Sequence, residues 1–355
     1  LITTLAIPTK DRPESLKRAL ASFLPKDGVR SLVINGWSTA AARNMILRLT
    51  KGQQVAMVDD DMQGALALAH GLDLRGSATP SDPTSFWYET EPGWNNVDIM
   101  TLHQTQLDAG AITSHIGVNG DSGMGSMAYL LFLEGQSRDR IYSNEETYRT
   151  ALYDRRVMRC SGQTKLVNYG PSLTGCIGID NSKNIPPFPE GIERNSDGVW
   201  MEVLRAVNPD ARQAYLPWAV RHDPPVKRGG DPVEGAGRFR ASGALIRMIR
   251  AQGQKTMAEL GECLEVLSHY WQLDHVVRYY RGQYLMGLAD EARAALRSHD
   301  GPSYWLADME RYLAALKLEM EQPFSFSDLP GGIEQFRGIV SDYGKLLQSW
   351  TNRDH

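Results

Sequence analysis

The sequence predicts an α/β domain followed by an all-helical region, and three observations carry that reading. Short apolar, β-branched runs alternate with amphipathic helical stretches over residues 1–58. A Gly/Pro-rich stretch, "PPVKRGGDPVEGAG" at 224–237, interrupts the chain. Beyond it, apolar residues recur at helical spacing to the end.

The elements follow in order. "LITTLAIPT" (1–9) is apolar and β-branched and stops at Pro8-Thr9, the pattern of a buried strand. "DRPESLKRALASFL" (11–24) reads as a helix. Pro13 suits its first turn, Glu14 its positive end, and Leu16, Leu20, Phe23 and Leu24 one face. "SLVING" (31–36) is a second strand. "STAAARNMILRLT" (38–50) is a helix with Ser38 or Thr39 as N-cap, and "QVAMV" (54–58) is a third strand. This alternation implies parallel strands joined by right-handed crossovers, with ligands at the carboxyl ends of the strands.

Residues 76–96 read as a long loop carrying Phe86, Trp87, Tyr88 and Trp94. Those aromatics either pin the loop to the core or form a platform for a flat ligand such as a sugar. "DIMTLHQTQLDAGA" reads as helix, "ITSHIGV" and "SLTGCIGID" (172–180) as strands. "SDGVWMEVLRAV" (196–207) is a helix starting at Ser196 or Asp197, and "QAYLPWAVRHD" (213–223) is a strand running into His222. In the helical region, Leu260, Leu264, Leu267 and Trp271 form one stripe. Trp305, Met309, Leu313, Leu316 and Met320 form another. The expected division is 1–225, a linker at 226–238, and helices over 239–355.

Composition narrows the class. The 355 residues carry a formal net charge of −4, so no global basic field points to nucleic acid. Cys160, Cys176 and Cys263 are scattered and show no paired spacing, which argues against a disulfide framework or structural zinc and fits a reducing cytoplasm. No apolar run approaches the roughly 20 residues of a spanning helix. Oligomeric state is left open.

"QVAMVDDDMQG" (53–63) places three aspartates directly after the third strand. Adjacent carboxylates raise one another's pKa unless a cation neutralises them. A hard divalent cation with oxygen ligands does so. The alternatives are a nucleophile and acid pair, Asp59 with Asp61, as in a phosphohydrolase, or a solvated turn. The phosphohydrolase pattern sits after a first strand with Thr or Val two residues past the second aspartate. Here it follows the third strand, with Gln63 at that place. A non-catalytic binding module is the third class.

"LAIPTKDRPESLKRALASFL", "AARNMIL", "VAMVDDDM", "LTGCIGI", "ERNSDGVWMEVL" and "YLPWAVRHDP", in that order, resemble a family 2 glycosyltransferase over roughly residues 1–225. The resemblance implies a GT-A fold, a Rossmann-like mixed sheet flanked by helices, here extended by a C-terminal helical region. It also implies transfer of a sugar from a nucleotide diphosphate donor, UDP-linked or GDP-linked, to a hydroxyl acceptor with inversion. Mn²⁺ or Mg²⁺ would be held by Asp61 and His222, with Asp59 and Asp60 on the ribose and donor sugar. Which of the three aspartates ligates the metal is not set by spacing. Asp197 matches the position of the general base, although the family usually shows an acidic pair where this chain has Ser196-Asp197. Pro8, Thr9, Asp11, Arg12 and Asn35 fall at the nucleotide. Asn35 stands where an acidic residue commonly meets uracil, so the base of the donor stays open. Arg43 approaches the donor or forms a structural salt bridge. Lys227 and Arg228 either meet diphosphate oxygens or are solvated. Trp87 and Trp94 are the candidate acceptor contacts.

Overall fold

The computed structural model describes residues 4–23, 29–36, 38–69, 72–73, 82–88, 94–95, 98–120, 128–153, 157–192, 194–225, 231, 233, 237–298 and 300–351. The first five elements are strand β1 (Thr4–Thr9), helix α1 (Pro13–Ser22), β2 (Arg30–Asn35), α2 (Thr39–Leu49) and β3 (Gln54–Val58). β1 pairs in parallel with both β2 and β3, as the alternation predicts. Ser38 caps α2, its side chain accepting from the Ala41 amide.

α1 is shorter than the 11–24 pattern, and its buried face is Ser15, Ala19 and Phe23, with Leu16 and Leu20 only half-buried. Small residues are needed there because the next strand passes close. A Cβ on Gly64 would collide with the Ser22 carbonyl. That strand, β4 (Met62–Leu68), starts directly after the aspartates. It is followed by β5 (Leu72–Asp73), β6 (Ser85–Tyr88) and β7 (Trp94–Asn95). The stretch read as one loop at 76–96 therefore contains two strands. Their partners are distant in sequence, which local pattern does not reveal: β6 pairs with 157–160, and β7 with β4.

Then come α3 (Ile99–Asp108), β8 (Thr113–Gly120), a 3₁₀ turn (Ala128–Phe132), α4 (Gly135–Ile141), α5 (Glu145–Tyr153), β9 (Val157–Cys160) and β10 (Lys165–Val167). The sheet is completed by β11 (Cys176–Asp180), α6 (Ser196–Val207) and β12 (Gln213–His222). The "SLTGCIGID" strand begins only at Cys176, and 172–175 is irregular. The twelve strands form one mixed sheet, with the central order β2-β1-β3-β11-β8-β12-β4-β7.

Register decides what meets at one end of this sheet. β11 runs antiparallel to β3, with Cys176 opposite Val58. β12 ends with His222 opposite both Gly120 at the end of β8 and Met62 at the start of β4. The carboxyl ends of β3, β8 and β12 and the starts of β4 and β11 thus share one edge. The aspartate run and His222 lie on it.

Helices α7 (Ala241–Gln252), α8 (Met257–His269), α9 (Leu273–Ser298), α10 (Ser303–Glu321) and α11 (Gly332–Thr351) follow. α8 starts with a capping box, Thr256 and Glu259 satisfying each other's backbone N–H. α8 and α11 touch at Gly261 and Gly344; a Cβ on Gly261 would lie 2.6 Å from the Gly344 carbonyl oxygen. The expected stripes are buried at Leu260, Leu264, Trp305, Met309 and Leu316, but Trp271 lies past the end of α8 and is 76% exposed. Apolar cores run across the 224–237 break. One joins Val199 and Val203 of α6 to Leu245, Leu264 and Phe336; another joins Tyr148, Leu152 and Val233 to Trp305 and Met309. Among the described residues, no helix is long and apolar enough to cross a membrane.

Candidate active site

The three aspartates leave β3 in a turn, so Asp59 faces Arg43 while Asp60 and Asp61 share Arg12. Asp59 donates its amide to the Gly175 carbonyl at 3.0 Å. Both its carboxylate oxygens accept from Nη2 of Arg43, at 2.7 and 2.9 Å. Arg43 is buried on α2 and also lies 5.0 Å from the Phe188 ring centre. The AARN motif therefore places a cation beneath the first aspartate.

Asp60 is 0% exposed. Its Oδ2 accepts from the Thr9 hydroxyl at 2.6 Å, which ties the end of β1 to the end of β3. Its Oδ1 lies 2.6 Å from Nη2 of Arg12, yet it has no hydrogen-bond partner among the described residues. That approach is an ion contact off the hydrogen-bond axis. Asp61 Oδ2 accepts from Nη1 of Arg12 at 3.0 Å and lies 3.4 Å from Nε2 of His222. The Asp61 carbonyl accepts from the Asp223 amide, which locks the end of β12 against the aspartate turn. Arg12 stands at the start of α1 without a side-chain cap, since a guanidinium has no acceptor to offer the helix N–H groups, and its side chain instead bridges Asp60 and Asp61.

Electrostatics separate the three. Burial pushes Asp60 up to about 6, against the Thr9 hydrogen bond and Arg12. Burial also raises Asp59, assisted by Asp61 and opposed by Arg43. Burial acts in the same sense on Asp61, but His222 and Arg12 outweigh it and hold the group at about 2. Of the three, Asp61 is the one whose surroundings favour the ionised form.

Asp197 sits in the first turn of α6, where its carboxylate accepts from the Thr174 hydroxyl at 3.0 Å. It lies close enough to act on the charges of both Arg43 and Asp59. The helix start differs from the expected one. The N-cap is Asn195, held at φ 60° in the left-handed region, and neither Ser196 nor Asp197 fills that role. Asparagine tolerates this conformation, and the sharp entry turns Asp197 toward 172–175.

Just past the same carboxyl end of β1, Asp11 and Asn35 bind each other. The Asp11 amide donates to Asn35 Oδ1 at 3.2 Å, and Asn35 Nδ2 donates to Asp11 Oδ1 at 2.9 Å. Asp11 has φ 50°, a second left-handed residue beside the site. Pro8, opposite Ile34, is buried within the β1–β2 ladder.

Trp87 is half-buried on β6 and packs near Met158, Cys160 and Ala219, its ring against Gly162. This is the pinning role rather than an open platform. The Trp94 side chain, Lys227 and Arg228 lie outside the described residues.

The edge thus gathers Thr9, Arg12, Arg43, Asp59, Asp60, Asp61, Asp197 and His222. Sequence reasoning missed Thr174, Asn195 and Asp223. All three lie inside the motifs quoted for their neighbours, and an asparagine directly before a helix is itself an N-cap signal for Asn195.

Asp61 and His222 supply one carboxylate oxygen and one imidazole nitrogen, a donor set that suits a borderline divalent cation such as Mn²⁺. Among the described residues no group of three or more such side chains is placed to hold a metal ion. Arg12 bridges Asp60 and Asp61 as a cation would. Asp61 and His222 could hold a metal ion only if further ligands came from a bound molecule or water.

No family model matches this sequence, and no curated protein matches it. Among solved structures the chain is similar to the crystal structure of S. aureus TarS 1-349, with 13% identity over 93% of this chain and 95% of that one and a TM-score of 0.38. A likeness that distant assigns nothing to this chain.

Proposed function

We propose that this chain is a metal-dependent glycosyltransferase of the GT-A type that moves a sugar from a nucleotide diphosphate donor to a hydroxyl acceptor. The observation that carries the reading is the meeting of Asp61 and His222 at 3.4 Å on the strand-end edge, with Arg12 and Arg43 beside them and Asp197 across from Asp59. A divalent cation held by Asp61 and His222 would act as a Lewis acid toward the leaving diphosphate. Arg12 and Arg43 add positive charge where the diphosphate gathers negative charge. Asp60, one of whose oxygens makes an ion contact with Arg12 but no hydrogen bond, would accept a hydroxyl of the ribose or donor sugar once Arg12 turns to the diphosphate. Asp11, positioned by Asn35, offers the carboxylate oxygen that the second strand itself lacks, which favours a uracil base. Asp197 takes the acceptor proton, its orientation set by the Thr174 hydroxyl. Attack on the anomeric carbon opposite the leaving diphosphate, with Asp197 as the base, would give inversion.

The phosphohydrolase reading fits less well. Its nucleophile would be Asp59, and both Asp59 oxygens are engaged by a buried arginine. Titration calorimetry with UDP and GDP, each with and without Mn²⁺, tests the proposal. Binding of one nucleotide that requires Mn²⁺ supports it and names the base. Binding of neither, with release of phosphate from a generic ester, replaces it with the phosphohydrolase.

A further inference from the structure

A cavity of about 270 Å³ opens between α6, α7 and the segment 169–172. Its chemistry is unbalanced. Glu202, 7% exposed, is its central carboxylate, and two guanidinium groups share it. Arg205 Nη1 donates to Glu202 Oε1 at 2.6 Å. Arg250 donates from Nε to Oε2 at 2.9 Å and from Nη2 to Oε1 at 2.8 Å. Arg159, the third arginine of the wall, lies 3.6 Å from Asp82 and is balanced by it. Among the described lining residues, three guanidinium groups thus face two carboxylates.

The same wall holds unused hydrogen-bond capacity. Ser172 Oγ and both Nε and Nη2 of Arg205 are buried and have no partner among the described residues. The Arg205 side chain is only 13% exposed, and the Tyr169 ring covers its face at 3.7 Å. A desolvated guanidinium with two idle donors and half a carboxylate is costly unless an anion completes it.

The cavity adjoins Asp197. Asn195 and Gly198, on either side of that residue, line it, and Ser172 stands two residues before Thr174, which donates to Asp197. We propose that this cavity binds the acidic group, a carboxylate or a phosphate, of the acceptor, and so presents the acceptor hydroxyl to Asp197. The anion site stands on its own geometry; its assignment to the acceptor rests on the glycosyl-transfer reading.

The test uses the full chain without metal or nucleotide. Glycerol 3-phosphate, acetate and neutral glycerol are titrated while intrinsic fluorescence and thermal midpoint are followed. Saturable binding of an acid but not of glycerol is expected. Preference for glycerol 3-phosphate identifies a phosphate, and an equal acetate response a carboxylate. Arg205→Gln removes the idle donors and is expected to weaken binding by about tenfold or more. Arg250→Gln, at a half-exposed position, gives the same direction should the Arg205 variant fold poorly. Arg12→Gln retains full binding, because Arg12 faces the aspartates. Absence of saturable binding, an equal response to glycerol, or loss in Arg12→Gln with retention in Arg205→Gln overturns the proposal. Nucleotide binding with Mn²⁺ is measured separately, so its failure removes the acceptor assignment and leaves the anion site standing.

Discussion

Two buried carboxylate–arginine networks in this molecule have similar ingredients and opposite characters. In the helical half, Asp308 is 1% exposed and fully engaged. Its Oδ2 accepts from Tyr148 at 2.9 Å and Arg149 at 2.5 Å, and its Oδ1 accepts from Arg311 at 2.9 Å. Arg311 continues to Asp231 at 2.7 Å. At the strand-end edge, Asp60 is equally buried, yet one of its oxygens has no hydrogen-bond partner among the described residues, and its pKa is displaced upward. Arg43 Nε is likewise unpartnered there. The first network is closed and holds α5 to α10. The second is incomplete, as a ligand site is before its ligand arrives. Burial and charge do not distinguish them; unfilled hydrogen bonds do.

The largest effect that separates the two is on turnover. Asp61→Asn is expected to lower sugar transfer by about a hundredfold or more, since a charge acting on the leaving group is lost. Mn²⁺-dependent nucleotide binding should disappear with it, while the chain stays folded at a lower thermal midpoint, because a carboxylate held at about 2 against an ordinary 3.8 stabilises the folded state at neutral pH. Unfolding of this variant would mean that the strand-end network is structural after all.

Asp308→Asn is the mirror image. Two arginines lose the charge they share, and stability is expected to fall by about 3–5 kcal/mol, read from urea unfolding. Nucleotide affinity of the folded fraction should be unchanged. A selective loss of nucleotide binding, with stability intact, would erase the contrast.

The two halves also differed in how legible they were in the sequence. The strand–helix alternation at 1–58 was readable because apolar periodicity and the Ser38 cap are local signals. His222 was readable because a strand pattern ended on it. The pairing of Asp61 with His222 depends on register across β4 and β12, which local patterns do not encode. Strands β6 and β7 were hidden for the same reason. Resemblance places Arg12 at the nucleotide, but its bridge between Asp60 and Asp61 is a contact between elements distant in sequence, which local pattern does not encode. The Glu202 network is hidden in the sequence for the same reason: of its two arginine partners, only Arg205 is near in sequence.

A smaller effect sharpens the contrast through pH. Asp60 titrates near 6 in the folded chain against an ordinary 3.8, so the folded state holds its proton more tightly than the unfolded chain does. The stability from this proton is fully present below 3.8 and is lost as pH rises through 6. Asp60→Asn, which cannot ionise, should therefore be more stable than the parent at pH 8 by about 1–3 kcal/mol, the gain vanishing near pH 4. His103 and His115 act in the opposite sense. Burial lowers them to about 3 and about 4 from 6.5, so their contribution is complete above 6.5 and is lost as pH falls. Comparing variant with parent at each pH cancels that background. A variant less stable than the parent at pH 8 would place Asp60 with Asp308, as a structural group.

The smallest expected effect concerns Arg12 and the order in which ligands bind. Its guanidinium contacts Asp60 at 2.6 Å and Asp61 at 3.0 Å, so a cation arriving alone must compete with it. A diphosphate arriving with the cation gives Arg12 a new partner and releases Asp61. Metal and nucleotide should then bind cooperatively, each strengthening the other by the same factor. Arg12→Gln removes the competitor. Mn²⁺ alone should bind the variant several-fold to about tenfold more tightly, roughly 1 kcal/mol, as the arginine no longer shares the carboxylates. The cooperativity should shrink, because Gln cannot exchange one anion for another. Electron paramagnetic resonance of free Mn²⁺, with and without UDP, measures both quantities directly. Unchanged affinity for Mn²⁺ alone in Arg12→Gln would show that the arginine does not compete with the cation, and that the strand-end network is as closed as the one around Asp308.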